Sequence, residues 1–127
     1  MSAENLATVR RAFAAWERGD FFPEEFWVED LEWHPSPDDP DTSAVRGRAA
    51  IERVLREWLE HLGRYQAEFE FTDTEGDVIV CMRALLEGAT TPIVAYFTCR
   101  VADGKINGVH AYSHRDDALK AVGLQDG

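Results

Sequence analysis

His34 is the side chain of this sequence best suited to moving a proton near neutral pH. It stands in Trp33-His34-Pro35, at the end of a short extended segment that begins at Leu31. An imidazole titrates close to neutrality and can serve as a general base without the environmental tuning a carboxylate often needs. A histidine here can equally be hydrogen-bonded in a semi-polar wall or beside the loop that follows. His110, Tyr112 and His114 alternate, which places all three on one face of a strand. No carboxylate stands at diagnostic spacing to complete a metal site with them. Asp38, Asp39 and Asp41 crowd a proline-rich stretch, where an acidic loop is expected to be solvated. Cys81 and Cys99 are the two cysteines, without CxxC or Cys/His ligand spacing, so free thiols are expected rather than a disulfide framework or a zinc site. There is no GxSxG, Walker-type loop, GxGxxG or HExxH, which leaves serine-hydrolase, P-loop and zinc-protease classes without support. Any chemistry is expected to need no cofactor and no metal.

The elements that must hold these groups are legible from periodicity. Leu6, Val9, Phe13 and Trp16 recur at helical spacing until Gly19 stops the run. Phe21, Phe22, Phe26 and Trp27 cluster around Pro23, which is expected to open a short second helix. Residues 35 to 45 carry PSPDDPDTSA and read as a surface loop. After Gly47, the positions Ile51, Val54, Leu55, Trp58, Leu59 and Leu62 trace one wide apolar helix face. From Tyr65 the period shortens to about two, and four strands follow. Turn signals at Glu75-Gly76-Asp77, Glu87-Gly88-Ala89 and Ala102-Asp103-Gly104 make them antiparallel neighbours. Asp116 to Val122 can close the chain with a short helix. Helices followed by a strand meander define an α+β fold, with helices on one face of a curved sheet.

Composition agrees with one globular domain over residues 1–127. The chain has 45% hydrophobic residues and 29% charged residues, with no sign of disorder or a fibrous repeat. Its 13 Lys and Arg against 24 Asp and Glu give a net charge of −11. Such a surface repels phosphate backbones and anionic headgroups, so neither nucleic acid nor membrane is an expected partner. The opening MSAENLATVRR holds no apolar leader and no apolar run approaches a membrane span, so the protein is expected in the cytoplasm.

Four segments in order, VRRAFAAWERGD, EDLEWHP, VRGRAAIERVLREW and ADGKINGVHAYSHRDDAL, resemble the nuclear-transport-factor-2-like superfamily in its SnoaL-like, ketosteroid-isomerase-like branch. The resemblance covers nearly the whole chain. It implies a cone-shaped roll: helices wrapped by a strongly curved, mostly antiparallel sheet around an apolar cavity open at one end. It also implies a homodimer formed through the outer sheet face. In ketosteroid isomerase the base is an aspartate before a proline at the end of the first strand, which falls on His34. The oxyanion-hole carboxylic acid falls on Tyr96, whose hydroxyl can likewise donate to a carbonyl oxygen gaining charge. The family's second donor, a tyrosine on the first helix, falls on Ala12, so the full steroid-isomerase constellation is absent.

A hairpin centred near residue 90 would pair residues whose numbers total about 180. Val78, Val80, Met82 and Ala84 would then share a face with Val94, Tyr96 and Thr98, and resemblance makes that face the cavity side. Val109, Ala111 and Ser113 join it from the last strand. Ile79, Cys81, Arg83 and Leu85, with Phe97, Cys99, His110 and Tyr112, would form an outer, partly apolar face suited to a dimer. Trp16, Phe26, Trp27, Val54 and Trp58 would supply core with partial cavity lining. The expected ligand is a small, largely apolar organic molecule. Three readings stand at this point: a cofactor-free isomerase, dehydratase or cyclase with His34 as base and Tyr96 polarising the substrate; a non-catalytic binding or accessory dimer; and a structural dimer with a filled interior.

Overall fold

The computed structural model describes residues 2–36, 43–74 and 77–123. Helix α1 spans Ser2–Glu17. It ends where Gly19, at φ 87°, bonds back to the Trp16 carbonyl, a left-handed stop that glycine adopts at little cost. Strand β1 (Trp27–His34), the two-residue β2 (Val45–Arg46) and helix α2 (Arg48–Leu62) follow. Strands β3 (Tyr65–Asp73), β4 (Val78–Leu86), β5 (Ile93–Ala102) and β6 (Lys105–Tyr112) lead to helix α3 (Arg115–Ala121). The fold is α+β: three helices and one six-stranded, curled and unclosed sheet in the order β2-β1-β6-β5-β4-β3. All pairings are antiparallel except that of β1 with β6. Among the described residues no helix is long and apolar enough to cross a membrane.

The expected short helix at Pro23 is a turn. Both the Phe26 and Trp27 amides bond to the Pro23 carbonyl before β1 begins. The aromatic cluster there is nevertheless inward: Phe21, Phe22 and Trp27 are buried. β1 and β2 add strand at the two ends of the stretch read as a loop, and Asp38, Asp39 and Asp41 lie outside the described residues. The β5–β6 hairpin turns on Asp103 and Gly104, both at positive φ, the two-residue turn whose twist matches the strands it joins.

One core fills the concave side of the sheet. Val9, Phe13 and Trp16 of α1 pack against Trp27, Leu31, Val80, Phe97, Cys99 and Val109. Phe13 is its hub, with ring centroids 5.4 Å from Trp16, 5.9 Å from Trp27 and 5.1 Å from Phe69. Such edge and offset contacts add to the energy of burial. A smaller cluster forms on the convex side, where Ala118 and Leu119 of α3 cover Ile79 beside Tyr96 and Tyr112.

The register corrects the assignment of faces. Cys81 stands opposite Tyr96, Met82 opposite Ala95, and Val80 opposite Phe97, so paired numbers total 177 rather than 180. An odd offset reverses which side every β5 residue faces relative to β4. Phe97 and Cys99 therefore join Val80 and Val109 in the concave core, while Tyr96 and Thr98 stand on the convex face with Cys81, His110 and Tyr112. Because Phe13 touches so many core rings, Phe13→Ala is expected to remove about 3–5 kcal/mol of stability in denaturant titration.

Candidate functional site

Toward the ends of the strands the concave side is not filled. A pocket of about 580 Å³ lies between α2, the late part of β4 and the early part of β5. α2 presents Ile51, Val54, Leu55, Trp58, Leu59 and Leu62 to it, the whole apolar stripe of the helix. Met82 and Ala84 of β4 with Ile93, Ala95 and Phe97 of β5 form the opposite wall. Trp16, Phe22 and Trp33 close the inner end, and Pro35, Ser36, Val45, Tyr65, Val94, Ala111, Tyr112 and Ser113 complete the lining. The Trp33 ring is held edge-on to Phe97 at 5.4 Å and stacked on Trp16 at 6.3 Å.

Polar chemistry in this hollow is sparse. Ser36 and Ser113 share a hydroxyl hydrogen bond of 3.1 Å across the ends of β1 and β6. Tyr65 contributes a phenol whose pKa burial raises, so it is a neutral donor at physiological pH. Among the described lining residues there is no carboxylate, imidazole, amine or thiol.

His34 lies elsewhere. Along β1, Leu31 and Trp33 face the core while Asp30, Glu32 and His34 face outward. His34 pairs with His110 on β6, and the two rings stack at 4.2 Å, 12° from parallel. They border a second, polar pocket on the convex face. Tyr96 is also on that face, where its phenol meets the Cys81 thiol. Burial, then the charge a Cys81 thiolate would carry, raise the Tyr96 pKa. The expected pairing of His34 with Tyr96 across a cavity is thus not formed.

Of the other residues expected to line the cavity, Trp16, Val54, Trp58, Met82, Val94, Ala111 and Ser113 border the hollow. Val80 and Val109 face inward but lie fully buried in the packed core. Phe26 packs against that core from its edge. Thr98 is buried on the convex side, sharing a hydrogen bond with Tyr112. The residues not anticipated as lining, Trp33, Phe97 and Ala95 chief among them, have a signal in the sequence. In β5 the odd positions are uniformly apolar while Tyr96, Thr98 and Arg100 take even ones, and late in β1 Leu31 and Trp33 alternate with Asp30, Glu32 and His34. Among the described residues no group of three His, Cys, Asp or Glu could hold a metal ion.

A small cone of helices held in a curled six-stranded sheet, with an apolar hollow at its open end, defines a class of α+β roll. The sequence profile of the SnoaL-like domain matches residues 9–109, and the chain belongs to that family. Solved structures share the architecture. A protein from Kribbella flavida, provisionally named a ketosteroid isomerase, aligns with TM-score 0.71 at 18% identity over 90% of this chain and 80% of its own. An NTF2-like protein from Burkholderia xenovorans LB400 aligns with TM-score 0.64 at 22% identity, covering 96% and 97%. TerC, co-crystallised with polyporic acid, aligns with TM-score 0.70 at 17% identity, covering 94% and 97%. At these identities the likeness is one of fold. No curated protein matches the chain.

The stacked imidazoles carry a measurable consequence. Burial first, then His34 and Arg100, lower the His110 pKa below its ordinary 6.5, against the opposing pull of Asp77 and Glu32. The unfolded chain then binds more protons than the folded one as pH falls below that ordinary value, so His110 makes stability decline toward acid. Denaturant titrations at about pH 7.5 and about pH 5.5 should show a smaller acid loss in His110→Gln than in the parent.

Proposed function

We propose that the protein binds a compact, largely apolar molecule non-covalently in the hollow between α2 and the sheet. The observation that carries this reading is the state of α2. Val54 and Trp58 are 51% and 45% exposed although both border the hollow. Large apolar side chains left this open around a concave site are what a ligand would cover. Trp16, Trp33, Trp58 and Phe97 favour a ligand with flat rings, through offset and edge contacts. The Ser36–Ser113 pair and the Tyr65 phenol offer one polar anchor at the rim. Co-crystallisation of TerC with polyporic acid is in keeping with a ligand-holding role for this fold.

Binding is favoured over general acid-base catalysis because the described lining supplies no group that would exchange a proton at neutral pH. Of the two candidates for such chemistry, His34 and Tyr96 both stand on the convex face. Turnover through a base at His34 is therefore not part of this reading.

A neutral fluorescent probe, N-phenyl-1-naphthylamine, tests it. Apolar surface covered on probe and pocket together drives the association, offset in part by the probe's lost freedom. A Kd on the order of 10–100 µM is expected, with quenching of tryptophan emission. Ala95→Trp, which fills the hollow from β5, should abolish the signal while circular dichroism remains that of the parent. His34→Ala should leave it unchanged. Binding that survives Ala95→Trp, or is lost in His34→Ala, would contradict the placement.

A further inference from the structure

The convex face carries a second concavity, of about 430 Å³, and a single glycine makes room for it. Across the sheet, Arg46 of β2, Glu32 of β1, Gly108 of β6 and Arg100 of β5 stand in one row of paired residues. Gly108 is the gap in that row. A Cβ built there would meet nothing within 4 Å, and its φ lies outside the left-handed region. Neither backbone conformation nor close packing accounts for a glycine at this strand position, where a side chain would normally strengthen the sheet. What the missing side chain provides is space between Glu32 and Arg100.

The walls of that space carry charge of both signs, mainly acidic on β1 and mainly basic on β5 and β6. β1 lines one side with Asp30 and Glu32, and Arg46 of β2, paired with Glu32, lines the same side. Arg100 of β5 and Lys105 at the start of β6 line the other, with Asp103 of the turn next to them. The stacked rings of His34 and His110 close one end. These charges are not consumed by one another. Among the described residues Asp30, Glu32, Arg46, Asp103 and Lys105 make no ion pair within 4.0 Å, and Arg100 has only a 3.9 Å approach to Asp77 from outside the pocket lining.

We propose that this depression is a binding site for a small zwitterion of the free amino acid class. Its ammonium would lie toward Asp30 and Glu32, and its carboxylate toward the Arg100 guanidinium and Lys105. A guanidinium offers two parallel donors to a carboxylate, an arrangement stronger and more directional than a point charge. A simple anion or a simple cation would meet like charge as well as opposite charge here, whereas a molecule carrying both charges can place each against its complement. The volume falls in the range of small-molecule sites. The site is separated from the apolar hollow by the thickness of the sheet, so it does not depend on the function proposed above.

Titration of the whole chain with individual free L-amino acids, followed by the imidazole C–H resonances of His34 and His110, tests the proposal. At least one amino acid is expected to shift both rings saturably with a Kd of about 10 mM or tighter, without displacing N-phenyl-1-naphthylamine from the hollow. Gly108→Leu fills the depression at a position with free space around it, and should abolish these shifts. Arg100→Gln and Glu32→Gln, which do not touch the core, should each weaken binding about tenfold or more. Three results would overturn the proposal: no amino acid moving the rings at that concentration, shifts that persist in Gly108→Leu, or sedimentation showing a dimer that Gly108→Leu dissociates, which would make a second copy of the chain the occupant.

Discussion

The pairing of Cys81 with Tyr96 decides what every other residue of this protein can do. Side chains alternate across a strand, so one register sends Phe97, Ala95 and Ala111 into the concave interior and Tyr96, Thr98 and His110 to the outside. The shift of one residue would exchange the two sets. Three features hold the register. Phe97 is wedged against Trp33, the fully buried Cys99 sits opposite Val78, and the Asp103-Gly104 turn fixes β5 against β6 at the other end. A slip would bury Arg100 and expose Phe97, a double penalty of desolvated charge and lost apolar burial.

The same division separates two kinds of surface. The interior face is predominantly apolar, packed solid around Phe13 and hollow next to α2, with Ser36, Ser113 and Tyr65 as polar groups in the hollow. The exterior face splits in two. α3 covers the part near Ile79, Tyr96 and Tyr112, and the part near Gly108 stays polar and open. With Phe97 and Cys99 turned inward, the convex face is less apolar than an inward Tyr96 would have left it. Cys99, fully buried with its thiol pKa pushed far up by desolvation, is an inert core residue.

Most of the architecture was legible in the sequence because it rests on period. The α2 stripe, the change to a two-residue period at Tyr65 and the Asp-Gly turn are local signals, each with one physical reading. The placement of site residues was not, because it depends on pairing between strands. A hairpin centre near residue 90 pairs Ala84 with Tyr96, whereas the observed pairs, Cys81 with Tyr96 and Met82 with Ala95, centre between residues 88 and 89, next to the Glu87-Gly88-Ala89 turn signal. His34 was placed by resemblance to an aspartate of ketosteroid isomerase. The alternation of Leu31 and Trp33 with Asp30, Glu32 and His34 on the same strand points outward instead, and the structure follows that alternation. The helix expected at Pro23 failed for a different reason: three residues separate it from β1, too few for a stable helix and enough for a turn.

The central claim is that apolar ligands see Ala95 and Phe97 of β5 and not Tyr96 or Thr98. Intermolecular nuclear Overhauser effects between bound N-phenyl-1-naphthylamine and assigned side chains test it directly. Contacts to Met82, Ala95, Phe97 and Ala111, with none to Tyr96 or the His34 ring, are the expected result. Contacts to Tyr96 and His34 would contradict the register on which the account is built.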